Sequence, residues 1–336
     1  MKMHAILLVR GRVMKKAIVT VDTEGHIGDD PVRRLIWGET TDGIQCGIPL
    51  IMNLCDEVGA KALFFLDFAE AWHYGEGKIA EVAKYIVERG HNVGVHIHPD
   101  HMADPKRMFL HEYSYEEQYS IIKECTNLYR KILGKPPISF RAGKYGANYD
   151  TLNILAELGY RADYSEFYGY NKWCGIQPPV TGDETIRMNN DLIEVPTMSY
   201  ENHFGKLFHR YDKLDIEMPL REQQYVLDLL LKSENINTIV MFIHSFSLIN
   251  WKRDPNNPCI NKQTITKMKR MLSTVATSDL LCFKNELDII NSEYVDMTHF
   301  TVPSISGITA LFFMIPKSYI MGKKLIYEKI WNKRKE

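Results

Sequence analysis

Residues 17–24 read Ala17-Ile-Val-Thr-Val-Asp-Thr-Glu24, a run rich in β-branched side chains that ends in two acids. A short apolar run of this kind reads as a buried strand. Three further stretches share the design. Asn92-Val-Gly-Val95 leads into His96-Ile-His98-Pro-Asp100, Ile138-Ser-Phe140 delivers Arg141, and Thr238-Ile-Val-Met-Phe-Ile243 delivers His244. In α/β proteins, ligands and chemistry gather at the carboxyl ends of such strands.

Between and beyond these runs the pattern alternates strand with helix, which predicts a parallel sheet with helical crossovers. Strands are expected near residues 18–22, 61–66, 93–98, 139–141, 160–164, 192–196, 239–244 and 281–283. Helical spacing is expected near 48–58, 78–88, 115–133 and 149–158, with Gly90 and Gly134 placed to end two of these helices. The polar stretch from Gly25 to Cys46 reads as an active-site loop, and Tyr200 to Leu220 as a second loop, either facing substrate or lying on the surface.

At 336 residues, 45% hydrophobic and 25% charged, the chain has the composition of a soluble globular protein with ample length for a large core. A net charge of -1 gives no electrostatic case for nucleic acid, which needs a basic stripe. The cysteines at 46, 55, 125, 174, 259 and 282 are scattered without CxxC spacing, which favours free thiols in a reducing compartment. The apolar run Ala5–Val9 ends at Arg10 and is too short for a signal peptide. The expectation is a cytoplasmic protein with residues 1–15 as a leader, 16–290 as a barrel and 291–336 as an extension. In that extension, Val302 to Ile315 is apolar but shorter than a membrane span. Lys317 to Glu336 then carries seven basic and two acidic residues among aromatic and aliphatic ones. This tail fits either peripheral contact with an anionic membrane face or a helix packed on the barrel.

Asp22 and Glu24 are one residue apart, so on a strand they share a face. Close carboxylates repel, and a division of labour relieves this: one ligates a cation while the other takes protons. The alternative is an acid capping a turn. His96 and His98 repeat the spacing, and imidazole with carboxylate suits zinc or another divalent metal. Arg141 follows an apolar run and can lock a carboxylate in its ionised form. His244 fits either a general acid for a leaving amine or a core histidine bonded to a carbonyl.

In this order, the pieces resemble the polysaccharide deacetylases, the NodB-homology family or carbohydrate esterase family 4. Thr20-Val-Asp-Thr-Glu-Gly25 resembles the family's first motif, Gly90-His-Asn-Val-Gly-Val-His96 the second, and Arg141-Ala-Gly-Lys-Tyr145 the third. Asp163-Tyr-Ser165 resembles the fourth and Ile243-His244 the fifth. Leu192–Pro196 fits a strand often found before the last motif. Trp37-Gly38 and Gly47-Ile48 resemble a loop of a surface-polysaccharide biosynthesis subgroup. The resemblance implies an α/β fold, a distorted (β/α) barrel of seven or eight strands. It also implies Asp22 as catalytic base, Glu24 and His96 as metal ligands, Arg141 as the residue orienting the base, and His244 as general acid. The family's second motif usually has another histidine where this chain has Asp100. His98, Asp100 or His101 must then complete the metal site, and His98 is favoured because His-x-His converges on one strand face.

The implied activity is metal-dependent hydrolysis, with zinc as the expected cofactor, removing an N-acetyl group from an acetamido sugar. Trp37, Tyr145, Tyr168 and Trp173 are candidate sugar-stacking aromatics. A cytoplasmic chain with a membrane-facing tail would act on a glycan, a nucleotide sugar or a lipid-linked precursor at the inner membrane face. Two rival readings are hydrolysis of a linear, non-sugar amide and a catalytically inert glycan-binding relative.

Overall fold

The computed structural model describes residues 8–9, 12–25, 29–176, 192–233, 236–251, 254, 256–292 and 302–314. Its centre is an eight-stranded sheet. We label the strands β1 (Lys15–Thr23), β2 (Leu63–Asp67), β3 (Asn92–Ile97), β4 (Ser139–Ala142), β5 (Ala162–Asp163), β6 (Ile193–Glu194), β7 (Thr238–His244) and β8 (Leu281–Phe283). All their pairings are parallel, in the order β7-β1-β2-β3-β4-β5-β6. Strand β8 lies beside the start of β1, at Lys15 to Ala17, and β2 takes up pairing from Thr20. Ala17, Ile18, Val19, Val21, Phe64, Phe65 and Leu66 are fully buried, as expected of strands covered on both faces.

Helices α1 (Ile48–Asp56), α2 (Glu76–Glu88), α3 (Tyr115–Leu133), α4 (Tyr149–Leu158), α5 (Leu220–Lys232) and α6 (Lys262–Ala276) join the strands. Helix α3 shows why the sequence signals were readable. Ser114 caps it by accepting from Glu117 N, Ile121, Ile122, Cys125 and Tyr129 form its buried stripe, and Gly134 ends it with φ at 67°. The sheet curls into a distorted (β/α) barrel. Across the seam between β6 and β7, Leu214 N donates to Met198 O at 2.9 Å, and Ile216 N donates to Phe242 O at 2.9 Å.

Several sequence expectations change here. The first strand begins at Lys15, inside the expected leader, and Leu8–Val9 pairs antiparallel with Arg12–Val13. The Gly25–Cys46 stretch contains a helical turn at Val32–Ile36 that buries Val32, Leu35 and Ile36. The 200–220 segment is not a loop: Ser199–Phe204 and Phe208–Lys213 form an antiparallel hairpin. Its polar residues hid the strand pattern, and the third strand of this sheet, Ser304–Ser306, comes from about a hundred residues further on. That strand and a helix over 307–314 divide the apolar stretch in two. The helix buries Ala310 and Phe313 and exposes Ile308 and Phe312. No described helix is long and apolar enough to cross a membrane. The basic tail, Lys317 to Glu336, lies outside the described residues.

Lys15 shows how the strand's start is tied down. Its ammonium is buried and donates to the carbonyls of Leu230 (3.0 Å), Ser233 and Ile236, capping the carboxyl end of α5. A cation is stabilising at this pole of a helix, and these carbonyls have no intrahelical donors. Lys15→Met should therefore cost about 1–3 kcal/mol in urea unfolding. Unchanged stability would show that the carbonyls find other donors.

Candidate active site

Sheet register decides which side chains meet. His244 lies opposite Asp22 across β7 and β1, and Asp67, His96 and Arg141 lie in one row across β2, β3 and β4. All of these are at or near strand carboxyl ends.

Arg141 is 1% exposed, and its guanidinium is bound from every side. Nη1 donates to Asp22 Oδ1 at 2.6 Å, Nη2 to Thr20 Oγ1 at 3.1 Å and Nε to Tyr164 O at 3.1 Å. The Phe65 ring lies 4.3 Å away. Ser165 braces this corner: its hydroxyl donates to Asp163 Oδ1 at 2.7 Å and accepts from Ala142 N at 2.9 Å. Burial opposes ionisation of Asp22, but Arg141, helped by His96 and His244, prevails and holds the carboxyl below its ordinary range.

Glu24, His96 and His98 form one buried group whose donor atoms lie within 4.8 Å of one another. Glu24 Oε2 is 2.7 Å from His98 Nε2 and 3.7 Å from His96 Nε2. His96 Nδ1 is 2.8 Å from Arg141 O, so Nδ1 carries a proton and Nε2 is the atom that faces Glu24. Burial disfavours a charged His96, yet Asp22 and Glu24 outweigh it and raise its pKa. A pocket that draws positive charge and offers two imidazoles with a carboxylate has the donor set of a zinc-type centre.

Asp100 is not part of this group. It sits at the opposite edge of the His98 ring, 3.9 Å from Nδ1, with its other oxygen 3.8 Å from Lys144 Nζ. His101 is turned away to Asp67, with Nδ1 2.8 Å from Oδ2. His244 reaches the group's rim, with Nε2 3.9 Å from Glu24 Oε1, and its ring stacks on Phe246. Burial lowers its pKa against the pull of Glu24.

The hairpin adds residues that the sequence did not single out. Lys213 Nζ donates to Tyr145 OH at 2.7 Å and lies 3.1 Å from the centre of the Phe242 ring. Burial pushes its pKa down to about 8. Lys213, Tyr145, Phe167, Tyr170 and Trp173 line a cavity of about 340 Å³. Tyr168 stands edge-on to Tyr211 of the same lining. Trp37 instead packs edge-on against Tyr85 of α2.

The sequence profile of the polysaccharide deacetylases matches residues 36–162, the part that carries His96, His98 and Arg141. Over this segment the chain is similar to the polysaccharide deacetylases. A curated protein to which this chain is similar, the peptidoglycan deacetylase-like protein FGM2 of Gibberella zeae, is 27% identical over 169 residues. That alignment covers 47% of this chain and 46% of the relative, so the chain spans about half the length of the curated relative it matches. A crystal structure from Mycobacterium smegmatis, assigned to the polysaccharide deacetylases, superposes with a TM-score of 0.52 at 16% identity, covering 85% of this chain and 92% of that one. The Puue allantoinase structure gives 0.51 at 10% identity, over 82% and 88% of the two chains. At these identities the two structures speak to the fold of this chain alone.

Gly143 tests how tightly the histidines are held. A Cβ at this position would come within 2.7 Å of His98 Cγ and of Ile97 O. Gly143→Ala should therefore displace the His98 ring and weaken zinc binding roughly 10- to 100-fold in chelator competition, the loss typical of a disturbed supporting group. Wild-type affinity would mean that the ring has room to move.

Proposed function

We propose that this chain is a metal-dependent hydrolase that removes an N-acetyl group from an acetamido sugar. The observation that carries the reading is the Glu24–His96–His98 donor group beside an Asp22 paired with Arg141, with His244 at the rim. The match of residues 36–162 to the polysaccharide deacetylases supports carbohydrate deacetylation as the reaction class.

A divalent cation bound by Glu24, His96 and His98, most fittingly zinc, would polarise the acetyl carbonyl and acidify a water molecule. The chain's own residues supply the rest. Asp22 accepts the water's proton, and Arg141 fixes both its charge and its aim. The proton that Asp22 takes from water passes through solvent to His244, which gives it to the departing amine nitrogen. Water supplies OH to the acyl carbon and the C–N bond breaks, leaving acetate and a free sugar amine. The aromatic walls of the neighbouring cavity fit the apolar face of a sugar ring.

The substrate in this reading is a glycan or a nucleotide-linked or lipid-linked precursor, met at the inner membrane face by a cytoplasmic protein with a basic tail. Six free cysteines support a reducing compartment, and the seven basic residues of 317–336 support attraction to an anionic surface.

Acetate release from N-acetylhexosamine oligosaccharides tests the reaction. Asp22→Asn should lower kcat by about 10²- to 10⁴-fold while bound zinc, read by elemental analysis, is retained. Normal turnover by this variant would rule out Asp22 as the base.

The pH profile tests the ion pair. Removing the cation in Arg141→Met takes away the strongest influence that lowers the Asp22 pKa, so that burial and Glu24, which raise it, are opposed only by His96 and His244. The acid limb of kcat/KM should then move to higher pH. An unmoved limb would assign that limb to another group.

A further inference from the structure

A second group of metal-donor side chains lies directly behind the first. Asp67 ends β2, Glu70 belongs to the 3-10 turn that follows, and His101 belongs to the turn after β3. One donor atom of each lies within 4.8 Å of the others. Asp67 and Glu70 are both 0% exposed, and among the described residues neither forms an ion pair with a lysine or arginine. Glu70 Oε1 accepts from Gly25 N at 2.6 Å, while its buried Oε2 has no hydrogen-bond donor among the described residues. Two adjacent buried carboxylates without a cationic side chain are costly, and an imidazole within 2.8 Å of one of them completes a set that a cation satisfies.

We propose that Asp67, Glu70 and His101 form a second divalent-cation site. Two carboxylates and an imidazole favour an ion of the manganese, cobalt or zinc type over calcium, which takes oxygen ligands only. The site is structurally linked to the first group. Asp67 Oδ1 accepts from the backbone N of His98 at 3.4 Å, and the His98 and His101 rings stack with centroids 5.3 Å apart. Glu70 holds the backbone of Gly25, the residue after Glu24. An ion here would fix the backbone positions from which Glu24 and His98 project. The geometry of this site stands independently of the proposed deacetylation.

The test is a cobalt(II) titration of the full-length, chelator-stripped protein, counting bound equivalents by equilibrium dialysis with elemental analysis. The wild-type chain should bind two equivalents. Near-isosteric Glu70→Gln should bind one, and Asp67→Asn should repeat that result should Glu70→Gln not fold, as judged by circular dichroism. His98→Ala should also bind one, now at the second site. A single equivalent in the wild type, unchanged in Glu70→Gln but lost in His98→Ala, would overturn the second site and leave the first standing. Two equivalents in folded Glu70→Gln would likewise overturn it. No bound cobalt in the wild type would count against both sites.

Discussion

Asp22 and Arg141 make the contact on which the rest of the site depends. They come from β1 and β4, with β2 and β3 between them in the sheet. In a flat sheet, three strand spacings would separate their backbones by roughly 14 Å. An ion pair at 2.6 Å between them therefore needs a sheet that curls, so that both side chains point across the barrel interior. The pair is buried, which makes it costly to half-complete: either residue alone would leave a desolvated charge. Thr20 and the Tyr164 carbonyl take up Arg141's other donors, so the guanidinium has one orientation. Because Arg141's carbonyl also holds His96 Nδ1, the same residue fixes both the ionised acid and the tautomer of a candidate metal ligand.

Much of this could be read from residue spacing. Period-two spacing put Asp22 with Glu24 and His96 with His98, and the structure brings Glu24 and both histidines into one group. Helix α3 was legible to its ends because Ser114, Glu117 and Gly134 are local signals that need no tertiary context. Asp67 was missed for a small reason. The expected strand was ended at Leu66, one residue before the polar strand end that marked every other candidate. Asp100 was included because sequence proximity cannot show which edge of an imidazole a neighbour occupies. Here the chain turns after Pro99 and leaves Asp100 on the Nδ1 side of His98, away from Glu24.

The hairpin of residues 199–213 was illegible for a different reason. Its strands are half exposed and carry histidines and charges, and its partner strand lies far away in sequence. Only the fold shows that Lys213 enters the barrel interior beside Tyr145 and Phe242. Tyr145 adopts a positive φ of 60°, a strained conformation for a tyrosine, held by Lys213 on one side and the packing of Phe167 on the other.

The central claim is that Glu24, His96 and His98 hold a catalytic metal while Asp22 remains free to take protons. Anomalous diffraction at the zinc edge from crystals of the zinc-loaded protein tests it most directly. The account predicts a peak bonded to Glu24, His96 and His98, with Asp22 still paired to Arg141. A peak ligated by Asp100 or by Asp22, or no peak at these three residues, would contradict it.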